Sequence, residues 1–218
     1  MGARGDALSR LAVSAALAAI AACAIALAAP SGADQTAVSG PVRVVDRLHE
    51  AMLGVMRRSA DLTYHERFEL LAPAIDAAYD LDFMARKSLG RAFEGLDEPS
   101  RQRWLALFRE YMVANYAGRF HGYAGQTFET LGEESAAQGT VQVSTKLREP
   151  GAAATVLNYR LRERDGAWRI VDVYLKGTVS ELALRRADFA ATIEREGFAA
   201  LVASLEGKIG DLAAGKIK

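Results

Sequence analysis

The sequence predicts an α+β domain in which helices pack on one face of a curved antiparallel sheet. Apolar residues recur at helical intervals through residues 41–120, then alternate with polar residues through residues 126–175, and return to helical spacing in residues 181–208. A meander of this kind has one apolar face, which the helices would cover. The resulting cone-like arrangement is expected to enclose an apolar cavity between helices and sheet.

The first half of the chain predicts four helices. The first covers residues 41–58 and the second residues 63–79, where Pro73 is expected to kink or split the helix. A short third helix covers residues 82–90. The longest follows Asp97, a good N-cap residue, and ends before Gly122.

The second half predicts strands over residues 126–131, 141–147, 157–161 and 168–175, with Asp165-Gly166 as a hairpin turn. Alternation in the last strand separates two faces. Val171, Val173 and Leu175 lie on one, and Trp168, Ile170, Asp172 and Tyr174 lie on the other. Two helices then cover residues 181–194 and 198–208, capped by Ser180 and divided by Gly197.

The N-terminus predicts export. Arg4 and Arg10 precede an uncharged segment, residues 11–29, and small residues follow it. This order is typical of a signal peptide. We therefore expect a cleaved signal at residues 1–33, a flexible leader at 34–40, the domain at 41–208 and a flexible tail at 209–218. An uncleaved anchor and lipidation at Cys23 remain as alternatives, since about 20 apolar residues span a bilayer.

Composition and motifs argue against several functions. Lys and Arg number 27, as do Asp and Glu, and no basic block occurs, so nucleic acid is not an expected partner. Cys23 is the only cysteine and lies in the exported segment, so the mature protein has no disulfide. The sequence has no phosphate-binding glycine loop, dinucleotide fingerprint or nucleophile elbow, and we expect no cofactor and no metal.

Candidate catalytic residues are few. His49, His65 and His121 lie far apart in the sequence, and a structural or solvent-facing role is favoured for each. Asp172 interrupts an otherwise apolar strand. It is interpreted either as a base at a pocket wall or, preferably, as a carboxylate that pairs with a cation or caps a nearby loop.

Five motifs follow one another along the chain: Met84-Ala-Arg-Lys-Ser-Leu-Gly90, Arg101-Gln-Arg-Trp-Leu-Ala-Leu-Phe-Arg-Glu-Tyr-Met112, Tyr116-Ala-Gly-Arg-Phe120, Asn158-Tyr-Arg-Leu161 and Gly166-Ala-Trp-Arg-Ile-Val-Asp-Val173. In this order, the motifs resemble the MlaC family of lipid-binding auxiliary proteins, also known as toluene-tolerance proteins. With Gly177, Ser180, Phe189, Gly197 and Leu201, the resemblance covers about residues 42–208.

The resemblance implies a fold related to nuclear transport factor two, with an apolar pocket for acyl chains. It also implies a periplasmic monomer that shuttles lipid between an inner-membrane ABC transporter, with its MCE-type subunit, and an outer-membrane complex. The segment Gly177-Thr-Val-Ser-Glu-Leu-Ala-Leu-Arg-Arg186 departs from the common pattern and resembles the hopanoid-associated branch, HpnM. The cargo therefore stays open between a phospholipid and a hopanoid.

A lipid carrier must enclose its cargo. Two acyl chains hold about 30 methylenes, and exposing them to water costs about 25 kcal/mol at about 0.8 kcal/mol each. Methionine and aromatic side chains suit such a pocket, although each is individually compatible with an ordinary core. The predicted lining comprises Phe83, Met84, Leu105, Phe108, Met112, Tyr116, Val143, Tyr159, Leu161, Val173 and Leu175.

Two rival hypotheses remain. An isomerase or dehydratase on the same cone-like fold would need a pocket dyad drawn from Asp172, His65, His121 and the tyrosines. An envelope adaptor without ligand would have a filled core. The lipid carrier is the preferred hypothesis.

Overall fold

The computed structural model describes residues 39–216 and confirms the α+β prediction. Five antiparallel strands form a meander in the order β1-β2-β3-β4-β5. The strands are β1 Thr127–Ala136, β2 Thr140–Arg148, β3 Thr155–Arg164, β4 Ala167–Leu175 and β5 Val179–Ser180. The helices are α1 Gly40–Arg57, α2 Tyr64–Ala78, α3 Leu81–Leu89, α4 Arg91–Gly95, α5 Glu98–Arg119, α6 Glu181–Glu196 and α7 Phe198–Ala213.

The helix starts follow local capping chemistry. Asp97 accepts a hydrogen bond from the Ser100 amide at the start of α5, and Ser180 accepts one from the Ala183 amide at the start of α6, as the sequence predicts. Thr63 and Glu66 form a capping box that starts α2. These side chains satisfy amide donors that the first helical turn leaves free.

Pro73 does not split α2, contrary to one of the two predicted outcomes. Proline removes a backbone hydrogen bond and costs about 3 kcal/mol inside a helix. The helix nevertheless continues through Pro73 to Ala78, because Leu71 and Ile75 on its inner face are fully buried. Burial of two such side chains offsets that cost.

The face assignment of β4 needs a correction. Asp172 pairs with Arg160 while Ile170 pairs with Leu161, so Val171 is an extra residue in a β-bulge. Ile170 therefore lies on the face of Val173, not on that of Asp172. The prediction failed because it assumed that side chains alternate strictly between the two faces, and a bulge interrupts that alternation. The first strand is also longer than predicted, since it extends through a second bulge between Thr130 and Gly132.

The core joins the helices to the sheet. Trp104 of α5 is fully buried, donates from Nε1 to the Ala85 carbonyl oxygen at 2.9 Å, and meets the Phe189 ring edge-on at 5.3 Å. This core lies in one compact unit, Val38–Lys218. None of the helices in the described residues is long and apolar enough to span a membrane. The predicted signal peptide and residues 34–38 of the leader lie outside the described residues.

Part of the segment predicted as a flexible tail is helical in the structure. Helix α7 continues to Ala213, and Leu212 is 4% exposed. The Leu212 side chain packs against Gly118 of α5. Glycine permits this contact, because a Cβ atom at position 118 would lie 2.7 Å from Leu212 Cδ2. The sequence pattern beyond residue 209 is short and glycine-interrupted, so this contact with α5 was not evident from it.

Candidate functional site

A cavity of about 120 Å³ lies between the helices and the sheet. Its walls come from α1, α3, α5, α6 and the central strands β3 and β4. The lining residues are Met52, Tyr79, Met84, Met112, Asn115, Tyr116, Arg119, Phe120, Leu157, Tyr159, Val173, Leu175, Glu181 and Arg185. Bending of the sheet around the helices brings residues from both halves of the chain into one wall.

Six of the eleven predicted lining residues meet at this cavity. They are Met84, Met112, Tyr116, Tyr159, Val173 and Leu175. Phe108, Val143 and Leu161 are fully buried in the core and do not line the cavity. Phe83 and Leu105 border two separate surface grooves. Periodicity along the chain indicates which residues are buried, but it does not say which buried residue borders an empty volume.

Several lining residues were missed. Leu157 had a usable signal, because it alternates with Tyr159 on the same face of β3. Met52 lies on the predicted apolar face of α1 but was not assigned to the pocket. No alternation or helical periodicity in the sequence indicates that Tyr79 lines the cavity. It reaches the cavity because its backbone bridges to Ile170 of β4 at the end of α2.

One end of the cavity is apolar and deeply buried. Met52 and Met84 are each 1% exposed, and Met112 is 3% exposed. Methionine side chains have three rotatable bonds and adapt their shape to their surroundings. This end is therefore suited to a flexible hydrocarbon group.

The tyrosine hydroxyls around the cavity are held in pairs. Tyr79 and Tyr116 share a hydrogen bond, and the Tyr159 hydroxyl lies 2.9 Å from Nε2 of His49. Burial raises the pKa of Tyr79, Tyr116 and Tyr159, so all three stay protonated at neutral pH. Burial also lowers the pKa of His49 from 6.5 to about 3, which keeps its imidazole neutral. The wall behind the cavity is consequently uncharged.

The other end of the cavity is charged and open to solvent. Glu181 and Arg185 form an ion pair at 3.5 Å, with side chains 20% and 17% exposed, and the Arg185 guanidinium lies 5.8 Å from the centre of the Tyr111 ring. Arg119, in the last turn of α5, is exposed. We call Arg119, Glu181 and Arg185 the mouth. It carries two cations and one anion beside an apolar interior.

Of the residues considered for a catalytic dyad, only tyrosines line the cavity, whereas Asp172, His65 and His121 do not. Asp172 accepts hydrogen bonds from the Val173 amide at 2.8 Å, the Ser180 hydroxyl at 2.6 Å and the Leu182 amide at 3.1 Å. It thus caps the β4–α6 connection, as the preferred interpretation proposed. His65 is exposed, and His121 donates from Nδ1 to the Gly118 carbonyl oxygen at 2.6 Å. Among residues 39–216, no cluster of three or more His, Cys, Asp or Glu side chains is arranged to hold a metal ion.

Two comparisons with known proteins bear on this site. The family model described as MlaC protein matches residues 46–207. The structure of the phospholipid-binding protein from Ralstonia solanacearum, solved in complex with a phospholipid, superposes with a TM-score of 0.68. That protein is 21% identical in sequence, and the match covers 81% of this chain and 98% of the other. The two chains share one fold.

Proposed function

The chain belongs to the MlaC family, and on this basis we propose that it binds one phospholipid and carries it through water. The observation that carries the proposal is the polarity gradient of the cavity. Buried methionines occupy one end, and Arg119 and Arg185 stand at the other. An amphiphile with acyl chains and a phosphate matches both ends. The Ralstonia solanacearum protein of the same fold was solved with such a molecule.

The cavity must enlarge to hold this cargo. Ligand pockets for molecules of drug size commonly measure about 300–1,000 Å³, whereas this one measures about 120 Å³. Met52, Met84 and Met112 provide movable walls, and Tyr116 and Phe120, whose rings stack at 5.6 Å, close the side towards the mouth. Rotation of these side chains, with displacement of α6, opens the space between α5 and the sheet.

The charge of the mouth favours a phospholipid over a hopanoid. Two arginines and one glutamate sum to a net charge of +1, which a phosphodiester neutralises. Guanidinium groups bind phosphate oxygens through charge-assisted hydrogen bonds. A polycyclic lipid without phosphate would leave this net positive charge of the mouth without a matching anion. A hopanoid is therefore the alternative cargo.

The place of action follows from the expected export signal and the family. We place the mature protein in the periplasm, where it accepts lipid from or delivers it to an inner-membrane ABC transporter with an MCE-type subunit. An outer-membrane complex is the other partner. A water-soluble carrier is needed there because exposing two acyl chains costs about 25 kcal/mol.

A ligand-free adaptor is the second candidate function, and the small size of the cavity favours it. The two candidates differ in whether the cavity ever opens. In a carrier, lipid binding enlarges it; in an adaptor, it keeps the volume of about 120 Å³ in every state.

Native mass spectrometry with lipid extraction tests the proposal. The full chain is produced in a bacterium with two membranes, and the protein is recovered from the periplasm without detergent. A mass increase of one phospholipid per protein, with that lipid in the extract, supports the carrier. Co-purified hopanoid corrects the cargo. Protein that is free of lipid and takes up none from phosphatidylglycerol vesicles contradicts the proposal and favours the adaptor.

A further inference from the structure

A basic groove lies on the other side of α3 and α6 from the cavity. It measures about 460 Å³ and is open to solvent. Its charged lining residues are Lys87, Arg160, Arg162, Asp172 and Arg186. Four of these are cations and one is an anion. We call this surface the basic groove.

The carboxylates near the groove do not balance its charge. Asp172 offsets one of the four positive charges, and Asp80, which pairs with Arg162 at 3.0 Å, offsets a second, so the groove keeps a net charge of +2. Lys87, Arg160 and Arg186 form no ion pair in the part of the chain that the structure describes. The whole chain has a net charge of zero, so this concentration of positive charge does not reflect a generally basic protein.

Arg160 is held in position by neutral groups. Its Nε donates to Thr140 Oγ1 at 2.9 Å, Nη1 to the Tyr174 hydroxyl at 3.2 Å, and Nη2 to the Ala137 carbonyl oxygen at 3.3 Å. A guanidinium has five N–H donors, so two remain for a ligand. The neutral acceptors fix its geometry without cancelling its charge. Such a preordered cation favours an anionic partner.

The shape of the groove favours a surface over a small ion. Its unpaired cations come from three different elements, with Lys87 on α3, Arg160 on β3 and Arg186 on α6. Phe83 and Leu182 place partly buried apolar side chains beside them. A membrane surface presents many phosphates next to hydrocarbon, and basic residues bind it in proportion to their number.

The groove is also one helix away from the mouth. Adjacent residues of α6, Arg185 and Arg186, border the mouth and the groove respectively. On α3, Met84 borders the cavity while Lys87 borders the groove. We propose that the basic groove docks the protein on the phosphate groups of an anionic lipid membrane. This docking places the mouth beside the bilayer and is separate from binding of the cargo.

Vesicle co-sedimentation tests the docking surface, using Val38–Lys218, the compact unit that contains the whole described core. The vesicles are phosphatidylcholine alone or phosphatidylcholine with phosphatidylglycerol, at low and high salt. The test variant is Lys87→Gln with Arg186→Gln, both exposed residues. The control is Arg58→Gln with Lys208→Gln, which removes the same charge from exposed positions elsewhere.

The expected result is salt-sensitive binding to the anionic vesicles, weakened roughly 30-fold in the groove variant and unchanged beyond about 3-fold in the control. Equal weakening in both variants would overturn the proposal, since net charge alone would then explain binding. The proposal would also be overturned if the wild-type protein bound phosphatidylcholine vesicles as strongly as anionic vesicles, or if it bound no vesicles. Calorimetric binding of inorganic phosphate without vesicle binding would identify a small-anion site instead and also overturn the proposal.

Discussion

The Tyr159 hydroxyl on the cavity wall lies 2.9 Å from Nε2 of His49, and the His49 ring stacks on Phe128 at 3.8 Å. These contacts link α1 to the two strands β1 and β3. His49 is 4% exposed and carries no net charge in the folded protein at neutral pH. It is therefore a structural support of the cavity wall.

His49 should make the stability of the protein depend on pH. Its pKa falls from 6.5 to about 3 on folding, so the unfolded chain binds the proton first. Burial of the neutral His49 ring is fully tolerated only above pH 6.5. As the pH falls from 6.5 towards 3, the free energy of unfolding decreases by about 1.4 kcal/mol per pH unit. Urea unfolding between pH 6.5 and about pH 5 should show a loss of about 2 kcal/mol. His49→Gln should remove most of that slope, and an unchanged slope would contradict the assignment.

Filling the cavity should block cargo binding without unfolding the protein. Val173→Trp adds an indole to a wall of the cavity of about 120 Å³. We expect lipid occupancy, measured by native mass spectrometry, to fall about 10-fold, with a stability cost of about 1–3 kcal/mol. Val179→Trp is the matched control, because Val179 is 41% exposed and does not line the cavity. Equal lipid loads in the two variants would place the cargo elsewhere.

The mouth should recognise phosphate. Arg119→Gln with Arg185→Gln removes both cations, and we expect phospholipid affinity to fall about 10-fold through loss of charge-assisted hydrogen bonds. Binding of diacylglycerol, which has the same chains and no phosphate, should change little. Arg103→Gln with Arg148→Gln serves as the control, since both arginines pair with surface glutamates away from the cavity. A parallel loss for both lipids would assign these arginines to the architecture of the mouth.

The last turn of α7 should contribute to stability. Leu212 is 4% exposed and packs against Gly118. Leu212→Ala should lower the free energy of unfolding by about 2–4 kcal/mol. Leu184→Ala, at a helix residue that is 50% exposed, should change it by less than about 0.5 kcal/mol. Chemical denaturation of both variants measures the difference, and equal values would show that the tail contributes no packing energy.

Helix capping and hairpin turns were predictable because they depend on neighbouring residues. Asp97, Ser180 and the Asp165-Gly166 turn behave as local chemistry requires. The β-bulge at Val171 was not predictable, because an extra residue in one strand is defined only by its partner strand. That bulge moves Ile170 to the core face. Similarly, Val143 and Met112 are both buried and apolar, yet only Met112 borders the cavity.

The sequence by itself determined the α+β class, the helices and strands with a clear periodicity, and the motifs that indicate the family. These properties follow from periodicities and spacings along the chain. Tertiary structure alone decided the mouth, since Arg119 and Arg185 lie on helices separated by the entire sheet in the sequence. It also decided that Asp172 is a cap and that Lys87, Arg160 and Arg186 share one groove. A charged surface or a cavity is formed by residues that are distant in the sequence, so its composition is defined only once the sheet bends around the helices.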